Sequence, residues 1–105
     1  MTRIEHLLIK LSEECNEIGK AMSKALLYGL NDGYPGSGRT NLQDIQDEFN
    51  DLLAISQMLC SENISLIPDT DKIENKKIKV VFWMEYARQR GILVANKKDG
   101  DGCEI

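Results

Sequence analysis

Between Ile4 and Leu27 the apolar residues recur at Ile4, Leu7, Leu8, Leu11, Cys15, Ile18, Met22, Ala25 and Leu26. That i, i+3, i+4, i+7 spacing makes one continuous face only on an α-helix, because a strand alternates its side chains with period two. The segment that follows, "GLNDGYPGSGRTN", is dense in Gly, Pro, Asn and Asp and reads as a loop. The helical spacing then resumes through Leu42, Ile45, Phe49, Leu52, Leu53, Ser56, Leu59 and Cys60, in a second helix predicted from Asn41, its expected N-cap, to about Ser61. Two long amphipathic helices on either side of one loop bury their stripes most directly by folding back on each other. An antiparallel hairpin around the 29–41 loop is therefore expected.

Pro68 punctuates the chain again, and a third helix is predicted from Thr70 or Asp71 to Arg90, with Gly91 as its stop. It carries Ile73, Ile78, Val81, Phe82, Met84 and Tyr86; the β-branched and aromatic run "KVVFW" leaves a short strand open there. The expected class is all-α, a helical hairpin plus a third helix. With 105 residues the chain suits one domain, read as 1–95, with 96–105 as a flexible tail. So short a chain buries only a modest share of its surface, which predicts a homo-oligomer that completes a helical bundle, the third helix either filling it or making the subunit contact. Trp83 and Tyr86 read as core or subunit contacts more than as a base-stacking platform.

The net charge of −4 argues against nonspecific binding to nucleic acid or to an anionic membrane. No apolar run approaches the ~20 residues of a membrane span, and "MTRIEHLLIK" lacks the uncharged core of a signal peptide, so the expected location is cytoplasmic. Cys15, Cys60 and Cys103 form no CxxC pair and no disulfide framework; the first two read as core and the third as tail. The single histidine, His6, lies away from the apolar stripe and reads as a surface residue rather than a partner for a cysteine nucleophile.

Against this background the acidic residues are unusual in where they fall. At about 100° per residue, Glu14 lies roughly 70° and Glu17 roughly 130° from the centre of the first apolar stripe, while Glu13 points outward. On the second helix Glu48 and Asp51 lie roughly 80° and 140° from its stripe, offset in the same rotational sense. An antiparallel pairing brings edges of the same sense to one side, so four carboxylates are expected on one rim. Crowded carboxylates repel, and an oxygen-only set without Cys or His suits a hard divalent ion, Mg²⁺ or Mn²⁺. Because Mg²⁺ keeps waters and shares its shell with phosphate oxygens, a phosphorylated substrate fits as well. A plain alternative stands beside this: acidic helix edges are commonly solvated and paired with lysines, here Lys10, Lys20 and Lys24.

The pattern E-E-x-x-E on one helix and E-x-x-D on the next, here Glu13-Glu14-Cys15-Asn16-Glu17 and Glu48-Phe49-Asn50-Asp51, resembles the signature of the MazG-like all-α nucleoside triphosphate pyrophosphohydrolases, related to the dimeric dUTPases. The resemblance covers roughly residues 4 to 61, and "SKALLYGL" and "NDLLAISQML" are similar to small versions found in bacteriophage genomes. One departure is the loop between the half-motifs, which is at the long end for that family. The resemblance implies that Glu14, Glu17, Glu48 and Asp51 are Mg²⁺ ligands, with Glu13 tuning the site or joining a second metal's shell. It further implies hydrolysis of a nucleoside triphosphate between the α and β phosphates. Lys24, Lys20 and Arg39 are the cations placed to meet phosphates. The loop "YPGSGRTN" lacks the Gly-Lys-Ser/Thr ending of a P-loop and reads as a connector or lid. Two other functions remain open from the sequence: a nucleotide-binding or sequestering module without turnover, and a helical interaction protein whose acids are a solvated face.

Overall fold

The computed structural model describes residues 1–94; the tail expected over 96–105, with Cys103, lies outside the described residues. Three α-helices follow in order, α1 Arg3–Tyr28, α2 Asn41–Ser61 and α3 Thr70–Gln89. Among the described residues there is no strand, so "KVVFW" is helical and the class is all-α. The chain divides into two compact units, Met1–Leu66 with α1 and α2, and a second beginning at Ile67 with α3. No helix among the described residues is long and apolar enough to cross a membrane.

Each helix begins at a side-chain cap. Thr2 and Glu5 form a capping box on α1, and Thr40 and Gln43 form one on α2, each Thr hydroxyl accepting from the third backbone N–H while the acid or amide returns to the cap N–H. Asp69 caps α3 by accepting from the Lys72 N–H at 3.0 Å. The cap of α2 is thus Thr40 and not Asn41, the residue expected from sequence. Asn41 is the first helical residue, only 1% exposed, and its Nδ2 donates to the Gly29 carbonyl at 2.7 Å. Its Oδ1 is buried with no partner. The Asn41 side chain serves the neighbouring loop, so the Thr hydroxyl one residue earlier takes over the helix end.

The other ends are closed by backbone geometry. After α2, Asn63 adopts φ 64°, and the amides of Asn63 and Ile64 donate to Cys60 and Leu59 carbonyls. After α3, Gly91 adopts φ 76°, and the amides of Gly91 and Ile92 donate to Arg88 and Ala87 carbonyls. Both are the left-handed termination that satisfies the last orphan carbonyls of a helix, and Gly91 is the stop expected of it.

The hairpin of the first unit is antiparallel and tied at both ends. At the loop end the Asn41 N–H donates to Asp32 O at 2.6 Å and the Leu42 N–H to Leu30 O at 3.0 Å, so loop carbonyls satisfy amides that α2 itself leaves open. At the other end Arg3 pairs with Glu62, the residue that closes α2.

The helices meet off-centre. On α1 the covered residues are Leu7, Leu11, Ile18 and Ala25, while Leu8, Cys15, Met22 and Leu26 are exposed, Leu26 at 89%. On α2, Ile45, Leu52 and Leu59 are covered and Leu42, Phe49, Leu53 and Cys60 are not. Each interface is therefore rotated by roughly 40° toward its helix's acidic edge and away from the middle of the apolar stripe. Cys15 and Cys60, expected in the core, are exposed for this reason. A second apolar face runs along the hairpin, uncovered within the first unit.

In the second unit, apolar residues lie all around α3. Phe82, Trp83 and Tyr86 are exposed, Trp83 at 60%, and make edge-to-face pairs at centroid distances of 5.1 and 5.5 Å. The Arg90 guanidinium lies 4.5 Å over the Tyr86 ring. Within this unit by itself, Trp83 and Tyr86 lie at the surface.

Candidate functional site: an acidic triad in the interhelical groove

The rotation of the interface decides which carboxylates meet. Glu14 and Glu48, the two nearest their helices' stripes, are drawn to the seam and half-buried, with the exposed Asp51 one turn further along α2. One oxygen from each of Glu14, Glu48 and Asp51 lies within 4.8 Å of the others. Three of the four carboxylates expected on one rim thus converge. Glu17 stands beside them: its charge acts on Glu48 and it lines the adjoining pocket, but it is outside the triad. Glu13 points away, as its wheel position predicts, and accepts from Lys10 Nζ at 2.7 Å.

Electrostatically the triad is under-compensated. Glu48 has its carboxyl pKa pushed up, first by desolvation at the seam and then by the charges of Asp51, Glu14, Glu17 and Asp47. Among the described residues no ion pair involves Glu14, Glu17, Glu48 or Asp51. Lysine pairing along a solvated helix edge accounts for Glu13 and not for these four. The donor set fits a hard divalent cation, being three carboxylates in reach of one point with no sulfur or imidazole among them.

The candidate phosphate-binding cations divide. Lys20 and Lys24 line a pocket of about 220 Å³ with Glu17, Asp44, Asp47 and Glu48, and neither takes part in an ion pair among the described residues. Arg39 is engaged differently. Its Nε donates to Asp44 at 3.2 Å and its Nη2 to Asp47 at 2.5 Å, which ties the end of the loop to the first turns of α2. The guanidinium thereby offsets the two wall carboxylates, leaving the lysines as the pocket's uncommitted charge. The sequence placed all three cations nearby but held no signal for this division, because the fold of the loop decides Arg39's partners.

A second cavity, of about 620 Å³, opens in the same groove toward the free end of the hairpin, where Leu7, Ile55 and Met58 form its apolar wall and Thr2, Arg3, His6 and Lys10 its polar edge. Read from sequence, His6 is a surface residue; its place at a cavity follows only from the packing of α1 on α2. No protein-family model, curated protein or solved structure matches the chain.

Proposed function

We propose that the chain is a Mg²⁺-dependent nucleoside triphosphate pyrophosphohydrolase of the MazG-like kind, with Mn²⁺ as a substitute metal. The single observation that carries this reading is the convergence of Glu14, Glu48 and Asp51 within 4.8 Å across an antiparallel pair of helices, none of them in an ion pair among the described residues. These three residues would hold the ion. When bound, a divalent cation offsets phosphate charge and lowers the pKa of an attacking water.

The chain's own groups supply the rest. Glu17, outside the triad and next to Glu48, has two roles open to it: completing the oxygen shell or accepting the proton of the attacking water. Lys20 and Lys24 face the same pocket with their ammonium groups unpaired and would hold non-bridging phosphate oxygens. A nucleotide-sequestering module has the same geometry and differs only in turnover.

Phosphorus NMR tests the reading. Wild-type protein with Mg²⁺ and a nucleoside triphosphate is expected to give monophosphate and pyrophosphate, and Glu14→Gln to give neither while keeping its helical circular dichroism. Diphosphate with orthophosphate would mean that a different bond is cut. Nucleotide binding without product would leave the sequestering module in its place.

We further propose that the chain works as a homo-oligomer. Support comes from the apolar residues left uncovered within the first unit, Leu8, Met22 and Leu26 on α1 and Phe49 and Leu53 on α2, and from the exposed aromatic cluster of Phe82, Trp83 and Tyr86 within the second. Light scattering at micromolar concentration is expected to return a mass at least twice that of one chain; the mass of a single chain would refute it.

A further inference from the structure

The acidic triad lies between two cavities of opposite chemistry in one groove. On the loop side Glu17 and Glu48 belong both to the acidic rim and to the 220 Å³ pocket with Lys20 and Lys24. On the free-end side Lys10 and Ile55, which line the 620 Å³ cavity, are each one helical turn from Glu14 and Asp51, ~6 Å along the axes. The smaller pocket is walled by charged side chains, four carboxylates, of which Asp44 and Asp47 are paired with Arg39, beside Lys20 and Lys24. The larger has Leu7, Ile55 and Met58 as an apolar wall, its cations Arg3 and Lys10 are paired with Glu62 and Glu13, and it is of the size usual for small organic ligands, ~300–1,000 Å³.

From this arrangement we propose that the groove binds its substrate with one polarity, the nucleoside in the cavity of Leu7, Ile55, Met58 and His6 and the two terminal phosphates toward Lys20 and Lys24. The proposal rests on the reading of the triad as the phosphate-reacting centre and adds the direction of the substrate and the residues that read its base. The chemistry agrees with the order of parts. Scission between the α and β phosphates puts the breaking bond one phosphate away from the nucleoside, with the β and γ phosphates on its far side whichever of the two phosphorus atoms water attacks. A groove with an apolar cavity, then carboxylates, then free ammonium groups follows that sequence. Met58 and Ile55 are binding residues for the base, and Lys20 and Lys24 are binding residues for the β and γ phosphates.

Two ligands, each representing one half of the substrate, separate the ends: nucleoside monophosphates (AMP, CMP, GMP, UMP) and inorganic tripolyphosphate, both with Mg²⁺ and the full chain. His6 is the only histidine, so its imidazole proton signals report on the free-end cavity without assignment. They are expected to move with at least one monophosphate at constant pH and to stay in place with tripolyphosphate. In calorimetric titration, Lys20→Ala combined with Lys24→Ala is expected to weaken tripolyphosphate about tenfold or more and to leave the monophosphate within about twofold, each loss being that of charge-assisted contacts. Met58→Trp, which fills the cavity, should do the reverse. Loss of monophosphate affinity in the lysine variant, or movement of the His6 signals by tripolyphosphate alone, would overturn the polarity while leaving the triad in place. Binding of neither ligand by wild-type protein would overturn the triad reading, and the polarity with it.

Discussion

Glu48→Gln is expected to lower turnover by at least about a hundredfold and, in metal-free protein, to raise the melting temperature at neutral pH. On the proposed reading the first effect would be the loss of a charged ligand at the centre of the triad, where even outer partners of a metal ligand cost ~10–100-fold. The second follows from linkage. The Glu48 carboxyl titrates above its ordinary value near 4.5 in the folded chain, so between that value and its raised one the folded state holds more proton than the unfolded. Stability contributed by this group therefore falls as pH rises through that window, and the full penalty stands above it. The neutral amide has no such penalty. Melting curves recorded in EDTA across pH 4 to 8 (about the carboxylate range) should show wild type losing ground to the variant as pH increases. Mg²⁺ should then raise the wild-type midpoint and leave that of the variant nearly unchanged. A variant that melts lower than wild type at every pH, or that keeps its activity, would remove the triad from the chemistry.

Gly33→Ala is expected to be the most destabilising single methyl in the hairpin. A Cβ at Gly33 would stand 1.8 Å from the Arg39 carbonyl oxygen and 2.9 Å from its carbon, backbone against backbone, with no flexible side chain to give way. The loop must open to admit it, which disturbs the Asp32–Asn41 bond and the placement of Arg39 against Asp44 and Asp47. Overpacking of this kind costs about 2–3 kcal/mol, a fall of roughly 10–20 °C in the melting temperature of so small a unit. Gly19→Ala supplies the opposite sign. Gly19 lies within α1 with nothing within 4 Å of its would-be Cβ, so alanine there gains helix propensity, about 0.5–1 kcal/mol. Thermal melts of the two variants beside wild type check both; equal and small shifts would mean that the close approach at Gly33 relaxes freely.

The helices were readable because their evidence is local. Apolar spacing and Gly91 after α3 act within a turn or two of the residues they govern; the caps Thr2 with Glu5 and Asp69 before α3 are as local, and sequence reasoning missed them. The 29–41 region shows where local evidence stops. Asn41 has a capping side chain by type, yet its amide is committed across the loop to Gly29, a partner twelve residues away. The acidic rim was legible to the same depth. Wheel angles place Glu14, Glu17, Glu48 and Asp51 on one side, but not the rotation of the interface that draws Glu14 and Glu48 to the seam and leaves Glu17 beside it. That rotation is a packing outcome shared by both helices. It also exposes Cys15 and Cys60, which a symmetric stripe would have buried, and creates the free-end cavity around Leu7, Ile55 and Met58.

The two ends of the hairpin are fastened unequally. At the loop, three hydrogen bonds and the Arg39 pairs bind α1, the connection and α2 together; at the opposite end the polar tie among the described residues is one ion pair between the largely solvated Arg3 and the partly covered Glu62, of a kind that contributes little in water. That end is held instead by packing, for Leu7 and Leu59, the two most buried apolar side chains described, both lie there. The hairpin is thus laced by directional bonds at one end and wedged shut by close-fitting hydrocarbon at the other.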